Sequence, residues 1–138
     1  MADDVDNKVR LEFDLHVEHL TSTHEAFINN TGKVAGFLLL ALGWYVTSDS
    51  ARVFLLSTPL MATLAAIAVA SAYALSVGAS WVAFRVSSNA LGRLRELDYI
   101  PSSAYEGRAL GPITFAVCMG GNGVLAALLI AALLQGFQ

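Results

Sequence analysis

Three histidines and their acidic neighbours are the first residues in this chain whose types could do chemistry. His16, His19 and His24 share one stretch with Glu12, Asp14, Glu18 and Glu25. Imidazole nitrogens beside carboxylate oxygens suit zinc and other transition metals. On a helix His16 and His19 share a face, with Glu12 one turn before His16. The spacing matches no standard ligand motif, and the i, i+4 histidine pair of H-E-x-x-H is absent. The expectation is therefore a solvated acidic face, with His16, His19 and His24 as weak metal candidates. An imidazole beside a carboxylate is also what a pH sensor needs.

The second constellation is Gly120-Gly121-Asn122-Gly123, inside a stretch without charges. Glycines and asparagine are unfavourable in an isolated helix. An unpaired amide in hydrocarbon is costly, so Asn122 needs a partner. One reading is close helix packing with Asn122 as an interhelical hydrogen bond. The other is local unwinding that lines a cavity or pore with backbone carbonyls. Packing is the expectation, because Ala116, Gly120, Gly123, Ala127 and Ala131 form one small-residue face. Ala62, Ala66, Ala70, Ala74 and Gly78 recur at four-residue steps upstream, as do Gly32 and Gly36. Small residues let helices approach closely in lipid.

Other chemistry is missing. No phosphate loop or nucleophile elbow occurs, and Gly-Gly-Asn-Gly is not a dinucleotide fingerprint. No ionisable Asp, Glu, Lys, Arg or His lies within residues 53–84 or 109–138. Such residues at membrane depth mark proton relays and haem ligation. No enzymatic activity and no cofactor are expected. Cys118 is alone, so no internal disulfide forms. The few basic residues make no patch for nucleic acid.

The elements that must position these residues follow from composition. Hydrophobic residues make up 56% of the 138 and charged ones 14%. Soluble domains have roughly 45–50% and about 25%. So short a soluble chain could not hide that much apolar surface, so lipid must cover it. The charges divide the chain into an acidic arm, residues 1–33, and a domain, 34–137, with apolar spans at about 34–48, 59–84 and 111–135. A spanning helix needs about 20 residues. The first stretch reaches only roughly 22 Å at 1.5 Å per residue, against a hydrocarbon core of about 30 Å. Lys33 can snorkel at one end, and Trp44 and Tyr45 suit the other interface. A variant continues this helix to Leu56, pairing Asp49 with Arg52. Ser57-Thr58-Pro59 is the expected break before the second span: a hydroxyl cap, then proline in the first turn. Gly111-Pro112 opens the third span by the same rule.

The connector, residues 85–110, begins as a helix carrying Leu91, Leu94 and Leu97. The arm is ambiguous. Val9, Leu11, Phe13, Leu15 and Val17 alternate with polar residues at a strand's period. A helix gathers Val9, Phe13, Val17, Leu20 and Phe27 and satisfies its own backbone. A lone strand would need a partner from another copy. The helix is preferred.

The fold expected is an all-α integral membrane protein of three transmembrane helices with an amphipathic N-terminal cytoplasmic arm. The first 30 residues do not read as a cleavable leader. Lys8, Arg10, Lys33, Arg85, Arg93, Arg95 and Arg108 fall on one side and Arg52 on the other. The positive-inside rule then puts the N-terminus in the cytoplasm and the C-terminus outside. On that side, Asn29-Asn30-Thr31 would be an unused glycosylation match. The arm is expected to meet the connector of its own or a neighbouring protomer through Glu18 or Glu25 and Arg93 or Arg95. The expected partners are the lipid bilayer, further copies of the chain, and a larger membrane protein in one alternative. Two functional classes fit: a homo-oligomeric channel or pore packed on Gly120, Gly121, Asn122, Gly123, Ala127, Ala66, Ala70 and Gly78, or an accessory subunit that docks those faces on a larger membrane complex.

Overall fold

The computed structural model describes residues 2–97 and 99–135, with side chains from Asn7 onward. Among the described residues four helices form: α1 (Ala2–Thr47), α2 (Asp49–Leu55), α3 (Pro59–Leu97) and α4 (Pro112–Gln135). Single 3-10 turns occur at Ser102–Ala104 and Glu106–Arg108. Among the described residues there is no strand. Helices α1, α3 and α4 are each long and apolar enough to cross a membrane.

The arm is helical and continues into the first apolar stretch without a break. Its alternation is a pattern of composition only: Leu11 and Leu15 stay more than half exposed, while Phe13, Leu20 and Phe27 are buried at seven-residue spacing. A helix closes its hydrogen bonds within itself, which a lone strand cannot.

Local capping chemistry sets the breaks. Ser48 is extended, and its hydroxyl accepts from the Ala51 amide at 3.2 Å, which starts α2. Asp49 in that first turn pairs with Arg52. The residues to Leu55 are therefore a separate short helix and not an extension of α1. Thr58 accepts from the Met61 amide at 3.3 Å, and Pro59 occupies the first turn of α3, where its missing N–H costs nothing. Helix α3 runs past Phe84, the end of the uncharged stretch, to Leu97, and α4 begins at Pro112.

The chain divides into two compact units. One comprises Asn30–Ala79 and Ala116–Gln138. Its core holds Leu38, Tyr45, Ala66, Val69, Ala126, Leu129 and Leu133. The other comprises Met1–Asn29 and Ser80–Phe115. Phe13, Leu20, Ala90, Leu94 and Tyr105 form its core. Phe115 adds a second aromatic cluster there, with centroids 6.0 Å from Phe27, 5.9 Å from Trp81 and 5.2 Å from Phe84.

Buried positions alternate four and three residues apart in every long helix. In α4 they are Met119, Asn122, Ala126, Leu129 and Leu133. In α3 they include Ala62, Ala66, Val69, Ser76, Ser80, Ser87, Ala90 and Leu94. In α1 they are Phe13, Leu20, Phe27, Thr31, Leu38 and Tyr45, with half-buried Val17, His24, Val34 and Ala41 between. This is a 3.5-residue repeat, the seam of left-handed helix packing. Strict four-residue steps do not follow it, since each turns the side chain by about 40° relative to the last. Hence Ala62 and Ala66 are buried while Ala70, Ala74 and Gly78 at the next steps are exposed.

Candidate functional site: a polar layer and two surface grooves

Within the unit holding most of α4, polar groups interrupt the seams. Asn122 is 3% exposed, and its Nδ2 donates to the Thr31 carbonyl at 3.3 Å. The Tyr73 hydroxyl donates to the Met119 carbonyl at 2.8 Å, and the Tyr45 hydroxyl to the Ala132 carbonyl at 2.9 Å. Helix α4 is unbroken through Gly120–Gly123, so no unwound carbonyls line a path there. Gly123 makes room for Tyr73: a Cβ on it would lie 2.7 Å from the Tyr73 oxygen. Thr21, Thr47 and Thr63 bond back to carbonyls four residues earlier. The buried hydroxyls of Thr31 and Ser76 have no such protein partner. Thr31 is also the third residue of the Asn29-Asn30-Thr31 match, and it is 8% exposed.

The small-residue face of α4 separates into two parts. Gly123 serves internal packing. Gly120, Gly121, Ala116, Ala127 and Ala131 are exposed. A Cβ added at Gly120 or Gly121 would meet no atom within 4 Å.

The histidines do not converge. Among the described residues no three His, Cys, Asp or Glu side chains come together as a metal site. His16 and His19 line a groove of about 230 Å³ with Asn89 and Arg93 over Val86 and Ala90. The His16 Nε2 lies 4.0 Å from Glu12 Oε1. His24 faces elsewhere, its Nδ1 donating to the Arg108 carbonyl at 3.2 Å in the tautomer that contact requires.

The arm meets the connector through apolar packing of Phe13 and Leu20 on Ala90, Leu94 and Tyr105. Arg93 pairs with Glu96 at 2.8 Å and Arg95 with Glu106 at 2.9 Å. Among the described residues Glu18 and Glu25 form no ion pair, and both are exposed. Arg93 and Arg95 thus find carboxylates on the connector itself, and neither Glu18 nor Glu25 reaches them within the chain.

A larger cavity, about 440 Å³, lies between the end of α3 and the segment leading into α4. Phe84, Leu91 and Pro112 line it at apolar points, Arg95 and Glu106 at a charged one. The Ser87 hydroxyl accepts from the Leu110 amide at 2.9 Å and holds that wall in place. Sequence reasoning missed this cavity. Its one signal was the run of small residues Ser87, Ser88 and Gly92 on an otherwise leucine-rich turn.

No protein-family model, curated protein or solved structure matches the chain.

Proposed function

We propose that this chain is a three-span integral membrane protein that associates laterally with copies of itself, packs through the outward face of α4, and catalyses nothing. Gly120 and Gly121 carry the reading. Each costs a helix about 1 kcal/mol relative to alanine. Neither has an internal neighbour that a methyl group would strike. Glycines that the protomer does not need favour close approach by a second helix. Ala116, Ala127 and Ala131 prolong the same exposed surface.

In this reading the arm and connector face the cytoplasm, as the distribution of lysine and arginine favours. Arg85 stacks over Trp81 at 5.8 Å, an arrangement suited to the interfacial zone. A packed assembly is favoured over an ion-conducting one. Ser76, Ser80 and Asn122 are buried in the chain's own seams. The Ser57 and Thr63 hydroxyls already donate to the Phe54 and Pro59 carbonyls. Few polar groups of the apolar helices remain to line a shared axis.

Light scattering on the full chain in mild detergent tests this. Wild type is expected at one stoichiometry above one. Gly120→Leu is expected as a monomer with unchanged helix content and thermal midpoint. A monomeric wild type would overturn self-association, and co-purification with a different membrane protein would favour the accessory-subunit alternative. Carbonate extraction of cell membranes tests the membrane reading separately.

A further inference from the structure

We infer that the cavity between α3 and the start of α4 binds a single-chain amphiphile with a zwitterionic phosphate–ammonium head. The inference rests on the membrane reading above and is independent of lateral association.

The volume, about 440 Å³, lies within the range of small-ligand sites, about 300–1,000 Å³. Its chemistry is graded along α3. Phe84, at one end, is the last residue of the uncharged stretch 53–84, and Pro112 beside it opens α4. Arg95 lies eleven residues further, about 16 Å along a helix. An apolar chain can therefore enter where the uncharged stretch of α3 ends and α4 begins, and lie against Phe84, Leu91 and Pro112. The head then reaches Arg95 and Glu106.

The head is specified by charge. Arg95 and Glu106 sit 2.9 Å apart at the rim, their side chains 58% and 42% exposed. An ion pair so exposed is loosely held, and either member can be re-partnered. A phosphate meets the Arg95 guanidinium in a fork geometry. An ammonium on the same head meets the Glu106 carboxylate. A purely anionic head would leave Glu106 facing negative charge, which disfavours it.

Gly92 leaves the groove open. It is exposed, lines the cavity, and a Cβ there would touch nothing within 4 Å. A side chain at this position begins in ligand space, with its Cβ clear of the protein.

Native mass spectrometry of the full chain, in a detergent without phosphate, tests the site. The probes are lysophosphatidylethanolamine, lysophosphatidylglycerol of equal chain length, and free phosphoethanolamine. One lysophosphatidylethanolamine adduct is expected, with about tenfold weaker binding of each other probe. Gly92→Leu and Arg95→Gln are each expected to weaken the preferred adduct by about tenfold or more. Circular dichroism checks that both variants fold, and Arg95→Gln carries the test if Gly92→Leu does not. Equal binding to wild type and the folded variants would overturn the site. Equal binding of lysophosphatidylglycerol would overturn the charge match, and equal binding of free phosphoethanolamine would overturn the role of the chain. Protein retained on membranes after carbonate extraction but lacking any adduct would sink the groove and leave the membrane reading standing.

Discussion

Phe13→Ala is expected to release the segment after α3 and expose it to protease. Phe13 is 6% exposed, and its ring lies 5.5 Å from Tyr99 and 5.9 Å, edge-on, from Tyr105. Tyr105 itself is 2% exposed. Removing a buried phenyl ring costs about 3–5 kcal/mol, part lost transfer energy and part cavity. Few other contacts secure this segment. The Leu110 amide bonds Ser87, the Arg108 carbonyl accepts from His24, and Glu106 pairs with Arg95 in an exposed bridge worth under about 1 kcal/mol. The cost therefore falls on local opening and not on the whole chain. Trypsin cleavage after the exposed Arg108 should accelerate about a hundredfold or more where opening precedes cleavage. Phe13→Leu, which refills most of the space, should recover most of the resistance. Cleavage of Phe13→Ala at the wild-type rate would mean that the aromatic cluster does not hold the segment.

Gly123→Leu should damage the protomer itself, in contrast to Gly120→Leu about five-sixths of a turn away. A Cβ at position 123 lies 2.7 Å from the Tyr73 oxygen and 3.2 Å from Cζ. The tyrosine must swing aside, which breaks its 2.8 Å bond to the Met119 carbonyl. Overpacking costs about 1–3 kcal/mol and loss of the part-buried hydroxyl's bond about 1 more. The thermal midpoint should fall by roughly 10 °C or more. The mechanism has its own check. In Tyr73→Phe the clashing atom is gone, so adding Gly123→Ala should cost less there than in the wild type. A double-mutant cycle reads that coupling directly. Additive effects would show that Gly123 matters for some reason other than Tyr73.

How much of this could be read beforehand depends on which physics leaves a mark in composition. The helix boundaries at Pro59 and Pro112 were legible because proline in a first turn has one meaning. Ser48 was not: a serine at the end of an apolar stretch looks like an interface, and only its hydroxyl's bond to Ala51 reveals a cap. The seams of α3 and α4 were hidden for a different reason. Where a whole helix is apolar, hydropathy no longer distinguishes faces, and neighbouring helices decide burial. Ala70 and Gly78 therefore looked like Ala62 and Ala66, although they lie on opposite sides of the seam's edge. Asn122 announced that it needed a partner, but nothing in the chain named the Thr31 carbonyl, ninety-one residues away. Arg93 and Arg95 had seven acids in the arm to choose from, and the closer Glu96 and Glu106 won. The cavity beside Gly92 exists only because the chain turns back on itself, which no local pattern records.

The alternation of buried residues in α1 makes that helix a ruler with a fixed graduation. Removing seven residues between Phe13 and Tyr45 would shorten it by about 10 Å and return almost the same face to its neighbours. Removing one before Leu38 would turn everything beyond the cut by about 100° and present Leu39 where Leu38 now sits. Length in this helix is thus tolerated in steps that return the face, about seven or eleven residues, and not in single residues. A shorter or longer arm remains compatible with the same apolar core only at those marks.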